Sequence, residues 1–157
     1  VQTCALPILF GGSMSSTSGI AIYNTSTGII QISGGTITGG TNNAGISLQK
    51  GTLNITGGTI TGATYGVYMH ASNASTFTLG DDDGTVNSVP TITATNSTGK
   101  GVSVGAGTFN FYDGTIIGGY SSSTGYSIVG SVTGLPNGYS VSKTNNGSKE
   151  TAVLSTN

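Results

Sequence analysis

Apolar residues in this chain recur in short alternating runs separated by glycine, asparagine and serine, and the runs fall into three columns. The first column follows a glycine: Gly19-Ile-Ala-Ile22, Gly45-Ile-Ser-Leu48, Gly66-Val-Tyr-Met69, Gly101-Val-Ser-Val104 and Gly125-Tyr-Ser-Ile128. The second is Ile30-Gln-Ile32, Leu53-Asn-Ile55, Phe77-Thr-Leu79 and Phe109-Asn-Phe111. The third is Thr36-Ile-Thr38, Thr59-Ile-Thr61, Thr91-Ile-Thr93 and Thr115-Ile-Ile117. Alternation with a period of two predicts half-buried strands. The glycines that open the first column stand 26, 21, 35 and 24 residues apart. Three short strands per unit of that length predict an all-β fold, a right-handed parallel β-helix of about four to five coils. An antiparallel sandwich would also use short strands, but it does not predict the same three columns in the same order.

One phrase spans the second and third columns three times. It reads Ile32-Ser-Gly-Gly-Thr-Ile-Thr-Gly-Gly40, Ile55-Thr-Gly-Gly-Thr-Ile-Thr-Gly-Ala63 and Phe111-Tyr-Asp-Gly-Thr-Ile-Ile-Gly-Gly119. Its Gly34-Gly35, Gly57-Gly58 and Asp113-Gly114 pairs predict a shared corner, because Gly, Asn and Asp tolerate positive φ. Asp113 is accordingly a turn residue rather than a catalytic acid. A single coil buries little, whereas a stack builds a continuous column of Ile, Leu, Val and Phe.

The columns divide the chain. Residues 1–8, Val1-Gln-Thr-Cys-Ala-Leu-Pro-Ile8, back-translate to GTTCAGACGTGTGCTCTTCCGATC, which looks like a sequencing-library adapter read in frame. They are set aside from the fold, and Cys4, the one cysteine, goes with them. Residues 9–18 are expected to form a partial coil or N-terminal edge, and residues 19–130 the β-helix. Its unit from Gly66 is interrupted near residues 80–90 by Gly80-Asp-Asp-Asp-Gly-Thr-Val-Asn-Ser-Val-Pro90. Loops of this kind are where function concentrates. In residues 131–157, Tyr139–Lys143 and Glu150–Leu154 flank Asn145-Asn-Gly147, a hairpin signal. That segment is expected to cap the last coil or to lead as a linker to another domain.

Composition narrows the functional classes. Charged residues make up 6% of the 157 positions, against about 25% in ordinary domains. Ser, Thr and Asn therefore carry solubility. A net charge of -1 with four scattered lysines and no arginine leaves no electrostatic footprint for nucleic acid. No run approaches the ~20 apolar residues of a membrane-spanning helix, so no membrane insertion is expected.

Taken together, Gly51-Thr-Leu-Asn-Ile-Thr-Gly-Gly-Thr-Ile-Thr-Gly62, Leu79-Gly-Asp-Asp-Asp-Gly-Thr-Val86 and Gly107-Thr-Phe-Asn-Phe-Tyr-Asp-Gly-Thr-Ile-Ile-Gly118 carry a resemblance. Leu135-Pro-Asn-Gly-Tyr139 and Glu150-Thr-Ala-Val-Leu154 extend it. Residues 19 to 155 resemble the β-helical, pectin-lyase-like segments of large surface proteins from Gram-positive gut bacteria. The resemblance implies secretion, attachment at the cell surface, a stalk or adhesin role and a longer parent chain. Glycans or host-surface molecules are the implied partners. No Leu-Pro-x-Thr-Gly sorting signal accompanies it.

Many parallel β-helices act on polysaccharides, so an enzyme is the first alternative. Their chemistry uses an Arg or Lys base beside calcium-binding carboxylates, or a cluster of acids for hydrolysis. Here arginine is absent and the acids are Asp81, Asp82, Asp83, Asp113 and Glu150. Adjacent carboxylates do not supply a separated acid and base. His70, next to inward Met69, should face solvent beside Tyr68. The expectation is a protein that is not an enzyme in this segment, any catalytic residues lying outside it. Asp81, Asp82 and Asp83 could bind Ca²⁺ through clustered oxygens, and a solvated acidic turn accounts for the same run. No other cofactor is expected. Outward Tyr68, Tyr112 and Tyr120 offer a sugar-stacking surface. The Thr-Ile-Thr phrases suggest a second alternative, an ice-binding solenoid, with Thr91 and Thr93 displaced by the insertion and Ile117 breaking the fourth rung.

Overall fold

The computed structural model describes residues 8–157, Ile8 by its backbone alone. The adapter-like segment therefore lies outside the described residues except for that backbone. Among the described residues the chain is strand, turn and loop, with no helix. In chain order the strands begin with β1 (Ile8–Leu9), β2 (Ser13–Ser15), β3 (Ile22–Asn24), β4 (Ile29–Thr38), β5 (Ala44–Leu48) and β6 (Thr52–Gly62). They continue as β7 (Tyr65–Met69), β8 (Ser75–Leu79), β9 (Thr91–Ala94), β10 (Lys100–Val104) and β11 (Gly107–Phe111). The last are β12 (Thr115–Ser121), β13 (Thr124–Gly125), β14 (Ile128–Val129), β15 (Tyr139–Asn145) and β16 (Lys149–Thr156).

Two sheets result. In the smaller, β3, β5, β7, β10 and β14 lie side by side, every neighbouring pair parallel. In the larger, β1 and β2 pair in parallel with β4, β4 with β6, and β6 with both β8 and β9. From there β8 continues to β11 and β9 to β12, again in parallel. Each of these strands pairs with its counterpart one unit away in sequence. Parallel pairing of that kind requires a long return connection, and the alternating strands of the other sheet supply it.

The second and third columns pair as the sequence aligns them. Ile30, Leu53, Phe77 and Phe109 share one row, and Ile32, Ile55, Leu79 and Phe111 another. Ile37, Ile60, Ile92 and Ile116 form a third. All twelve side chains are buried, and the Phe77 and Phe109 rings stack at 4.9 Å. Burying each such side chain contributes about 1.5–3 kcal/mol, so these rows are the main cohesive element.

The first column differs from the alignment at both ends. Ile22, not Ile20, pairs with Ile46, and Ile128 pairs with Val102 rather than Val104. A slip of two residues keeps every side chain on its own face, so alternation cannot reveal it. As a result Asn24 falls beside Leu48. There it is buried, donating from Nδ2 to the Lys50 and Ser26 carbonyls and accepting at Oδ1 from the Ser26 amide and hydroxyl. In the three inner units the register passes over Gly45, Gly66 and Gly101. A Cβ on any of them would collide with a γ-methyl of Ile60, Ile92 or Ile116 respectively. These glycines make room for the third row.

The expected second and third strands are also less separate than predicted. They merge into the single long strands β4 and β6, each carrying a register irregularity at the corner. Gly35, Gly58 and Gly114 there adopt φ of 85°, 89° and 103°. Only after the excursion following β8, and after Asp113, do the strands separate.

The hairpin of β15 and β16 forms as expected, with Asn145 opposite Glu150. β16 then lies antiparallel along β12, Ile116 opposite Ala152. Lys149 Nζ fastens it by donating to the carbonyls of Ala94, Thr95 and Asn96 at 2.8, 2.6 and 3.3 Å. Partial burial holds the Lys149 ammonium below its ordinary pKa. Glu150 accepts from the Ser127 amide at 3.0 Å and from the Ser127 hydroxyl, and pairs with Lys143 at 3.6 Å. This carboxylate fastens the hairpin to β14.

Candidate functional site

The smaller sheet presents an aromatic strip. Its register aligns Tyr23, Ser47, Tyr68 and Ser103 in one row, on the face opposite inward Ile46, Val67 and Val102. Ser47, small and buried, lies between two tyrosines. His70, one residue beyond β7, places Nε2 2.9 Å from Ser47 Oγ. Its ring sits 4.4 Å from that of Tyr68, tilted by 43°, and 6.2 Å from that of Tyr23. Tyr65, at the start of β7, stacks on Tyr68 at 4.6 Å. His70 is thus half-buried and hydrogen-bonded, not the freely solvated side chain expected.

Polar groups surround these rings. The Tyr23 hydroxyl donates to Gln49 Oε1 at 3.4 Å, and Tyr23 is 54% exposed. A depression of about 240 Å³ is lined by Tyr23, Asn42, Asn43, Ser47, Tyr68 and His70. Tyr65 also borders a second depression, of about 330 Å³, with Thr64, Asn96, Thr98, Lys100 and Tyr126 on its walls. Lys100 pairs with Tyr65 across the sheet and holds Nζ 5.4 Å from the ring centroid. Such an arrangement can stack the apolar face of a ring-shaped ligand while amides and hydroxyls take its polar rim.

The three tyrosines named from the sequence are not one surface. Tyr68 belongs to the strip. Tyr112 lies between β11 and β12, and Tyr120 lies within β12, on the larger sheet. Among the described residues neither has an aromatic neighbour, whereas Tyr68 has Tyr65 and His70. Tyr65 and Lys100 precede the aligned glycines Gly66 and Gly101 and fall outside the column as read from the sequence; Tyr23 was missed for a different reason. With Gly19 aligned to Gly45, Tyr23 falls beside Gln49; only the two-residue slip puts it beside Ser47.

The excursion is organised differently. Asp83 Oδ1 accepts from the Thr85 amide at 2.8 Å and the Thr85 hydroxyl at 2.7 Å. These bonds hold the Asp83 carboxyl below its ordinary pKa. Lost hydration, followed by the charges of Asp83 and Asp113, raises that of Asp81. Asp113 is more than a turn residue. Buried at 3% exposure, its two oxygens accept from the Asp81 amide at 3.0 Å and the Asn87 amide at 2.6 Å. Among the described residues no three His, Cys, Asp or Glu side chains converge as a metal site requires. Asp83 Oδ1 and both Asp113 oxygens accept from the chain's own donors.

Outside the third row the hydroxyls are in register. Ser13, Thr36, Thr59, Thr91 and Thr115 form one line, and Ser15, Thr38, Thr61 and Thr93 a second, ended by Ile117. The insertion does not displace Thr91 and Thr93; it loops out and returns to register at Thr91. Thr115 Oγ1 donates back to the Ser88 carbonyl.

No protein-family model, curated protein or solved structure matches this chain.

Proposed function

We propose that this chain is a segment of an extracellular, non-catalytic right-handed parallel β-helix, a surface stalk that binds glycans through the Tyr23–Tyr68 strip. The one-unit offset of every parallel pairing supports the β-helix. The observation that carries the binding function is the strip itself: three tyrosines and a histidine in successive contact above a buried serine, bordered by asparagine and glutamine. A stalk needs no such aromatic row. Catalysis is disfavoured because three of the five acids are engaged structurally, Asp113 and Glu150 by backbone amides and Asp83 by Thr85, and the other two, Asp81 and Asp82, are adjacent in one exposed loop. A glycan array probed with the wild-type chain and with Tyr23→Ala is the test. Tyr23 is exposed, so its removal leaves the fold intact, and truncating an aromatic anchor costs at least about tenfold in affinity. Arrays that stay blank, or hits that Tyr23→Ala leaves unchanged, overturn the assignment.

The two hydroxyl rows favour a second function, ice binding. Their rungs repeat at about 4.8 Å, and threonines within a strand stand about 6.6 Å apart, a flat and regular array. Thermal hysteresis that Thr59→Tyr abolishes would support it, and freezing indistinguishable from buffer would exclude it.

A further inference from the structure

Charge distribution around the strip says which glycans fit it. Of the four lysines, Lys143 is bound to Glu150 and the Ile128 carbonyl, and Lys149 to three carbonyls. Lys50 is exposed beyond β5. Lys100 is half-buried, and among the described residues its ammonium has no hydrogen-bond acceptor and no carboxylate within ion-pair distance; it lies over the Tyr65 ring, 5.4 Å from its centroid. Neither depression beside Tyr65 is lined by an acid. Of the acids, Asp81, Asp82 and Asp83 lie in the excursion and Asp113 beneath it, while Glu150 lies behind Tyr126, held by Ser127 and paired with Lys143.

An ammonium with unused donors, on a half-buried lysine and set over a tyrosine at the rim of a polar depression, is suited to an anion. The anion must belong to a ligand that also uses the adjoining rings. We propose that the Lys100 depression receives the carboxylate of an acidic sugar, with Asn96 and Thr98 beside it, while the neighbouring residue of the glycan lies on the Tyr68–Tyr23 side of Tyr65. The assignment rests on the glycan-binding function and adds its ligand class, carboxylate-bearing saccharides. A lysine held over a ring also selects charge more than shape, because ammonium is a point charge rather than a fork.

The test uses sialyl and glucuronyl oligosaccharides and the methyl ester of each, titrated by calorimetry into the full chain. The expected result is an acid bound at least about tenfold more tightly than its ester, a preference that shrinks as salt screens the charge. Lys100→Gln should bring acid binding down to the level of the ester, while Lys100→Arg retains the preference. Acid and ester bound alike, or a preference that survives Lys100→Gln, overturns the acidic-sugar assignment and leaves glycan binding standing. No binding of any acid, ester or neutral glycan overturns both.

Discussion

Replacing Asp113 should loosen the excursion while leaving the stack intact. The carboxylate is buried and receives two backbone amides, from Asp81 and Asn87, so it clamps both ends of the loop to the corner before β12. A hydrogen bond to a charged acceptor is worth about 1.5–3 kcal/mol, which would give an upper bound near twice that for the pair. Asp81 and Asn87 are both exposed, so water satisfies their amides once the acceptor is gone. The net cost of Asp113→Ala is therefore about 2 kcal/mol rather than the sum. Asp113→Asn keeps one acceptor and should lose about half as much. Asp113→Gly restores the residue found at Gly34 and Gly57 in the equivalent corners, so it should be tolerated by the backbone yet lose the clamp like alanine. Urea unfolding gives the stability change, and amide exchange across residues 81–89 gives its location. A stability for Asp113→Ala within about 0.5 kcal/mol of wild type, with loop exchange unchanged, would refute the clamp.

Other substitutions test other parts of the account. Ile60→Ala removes a fully buried member of the Ile37–Ile116 row and should cost about 2–5 kcal/mol, whereas Thr59→Ala beside it should stay within about 0.5 kcal/mol in the same urea assay. Ser75 Oγ is buried without a hydrogen-bond partner, so Ser75→Ala should raise stability by about 1 kcal/mol, read as an upward shift in melting temperature. The Asp83 pKa lies below 3.8 in the fold, so its contribution is present above that value and is lost as pH falls through the lowered pKa. Asp81 is raised above 3.8, so it imposes a penalty that develops as pH rises through its raised pKa. Melting curves between about pH 2 and 7 should show Asp83→Asn losing stability only at the upper end and Asp81→Asn gaining it only there.

The larger sheet was legible because its repeats carry bulky residues in fixed phrases. Leu53-Asn-Ile55 and Phe77-Thr-Leu79 align without choice, and so do Thr36-Ile-Thr38 and Thr59-Ile-Thr61, whereas the return of Thr91 and Thr93 to register after the excursion is not readable from local pattern. The ends of the smaller sheet were not legible, since alternation favours Gly19-Ile-Ala-Ile22, with two inward isoleucines, over Ile22-Tyr-Asn24, which turns Asn24 inward. That preference concealed the candidate site, because moving Tyr23 by two positions brings it beside Ser47, Tyr68 and His70. Tyr112 and Tyr120 looked equivalent to Tyr68 by alternation alone, which gives a face but not which of two sheets the face belongs to. The role of Asp113 was half visible. Its corner followed from the glycines at the same place in other units, but its clamp depends on where the excursion returns, which local pattern does not encode.

Glycan binding at the tyrosine strip is the central claim, and an NMR titration of isotope-labelled chain with a saccharide bound on the array tests it most directly. The account predicts saturable shifts confined to Tyr23, Ser47, Tyr65, Tyr68, His70 and Lys100, with the threonine rows and the Asp81–Asp83 loop unmoved. Shifts centred on those rows or on that loop, or none at saturating saccharide, would contradict it.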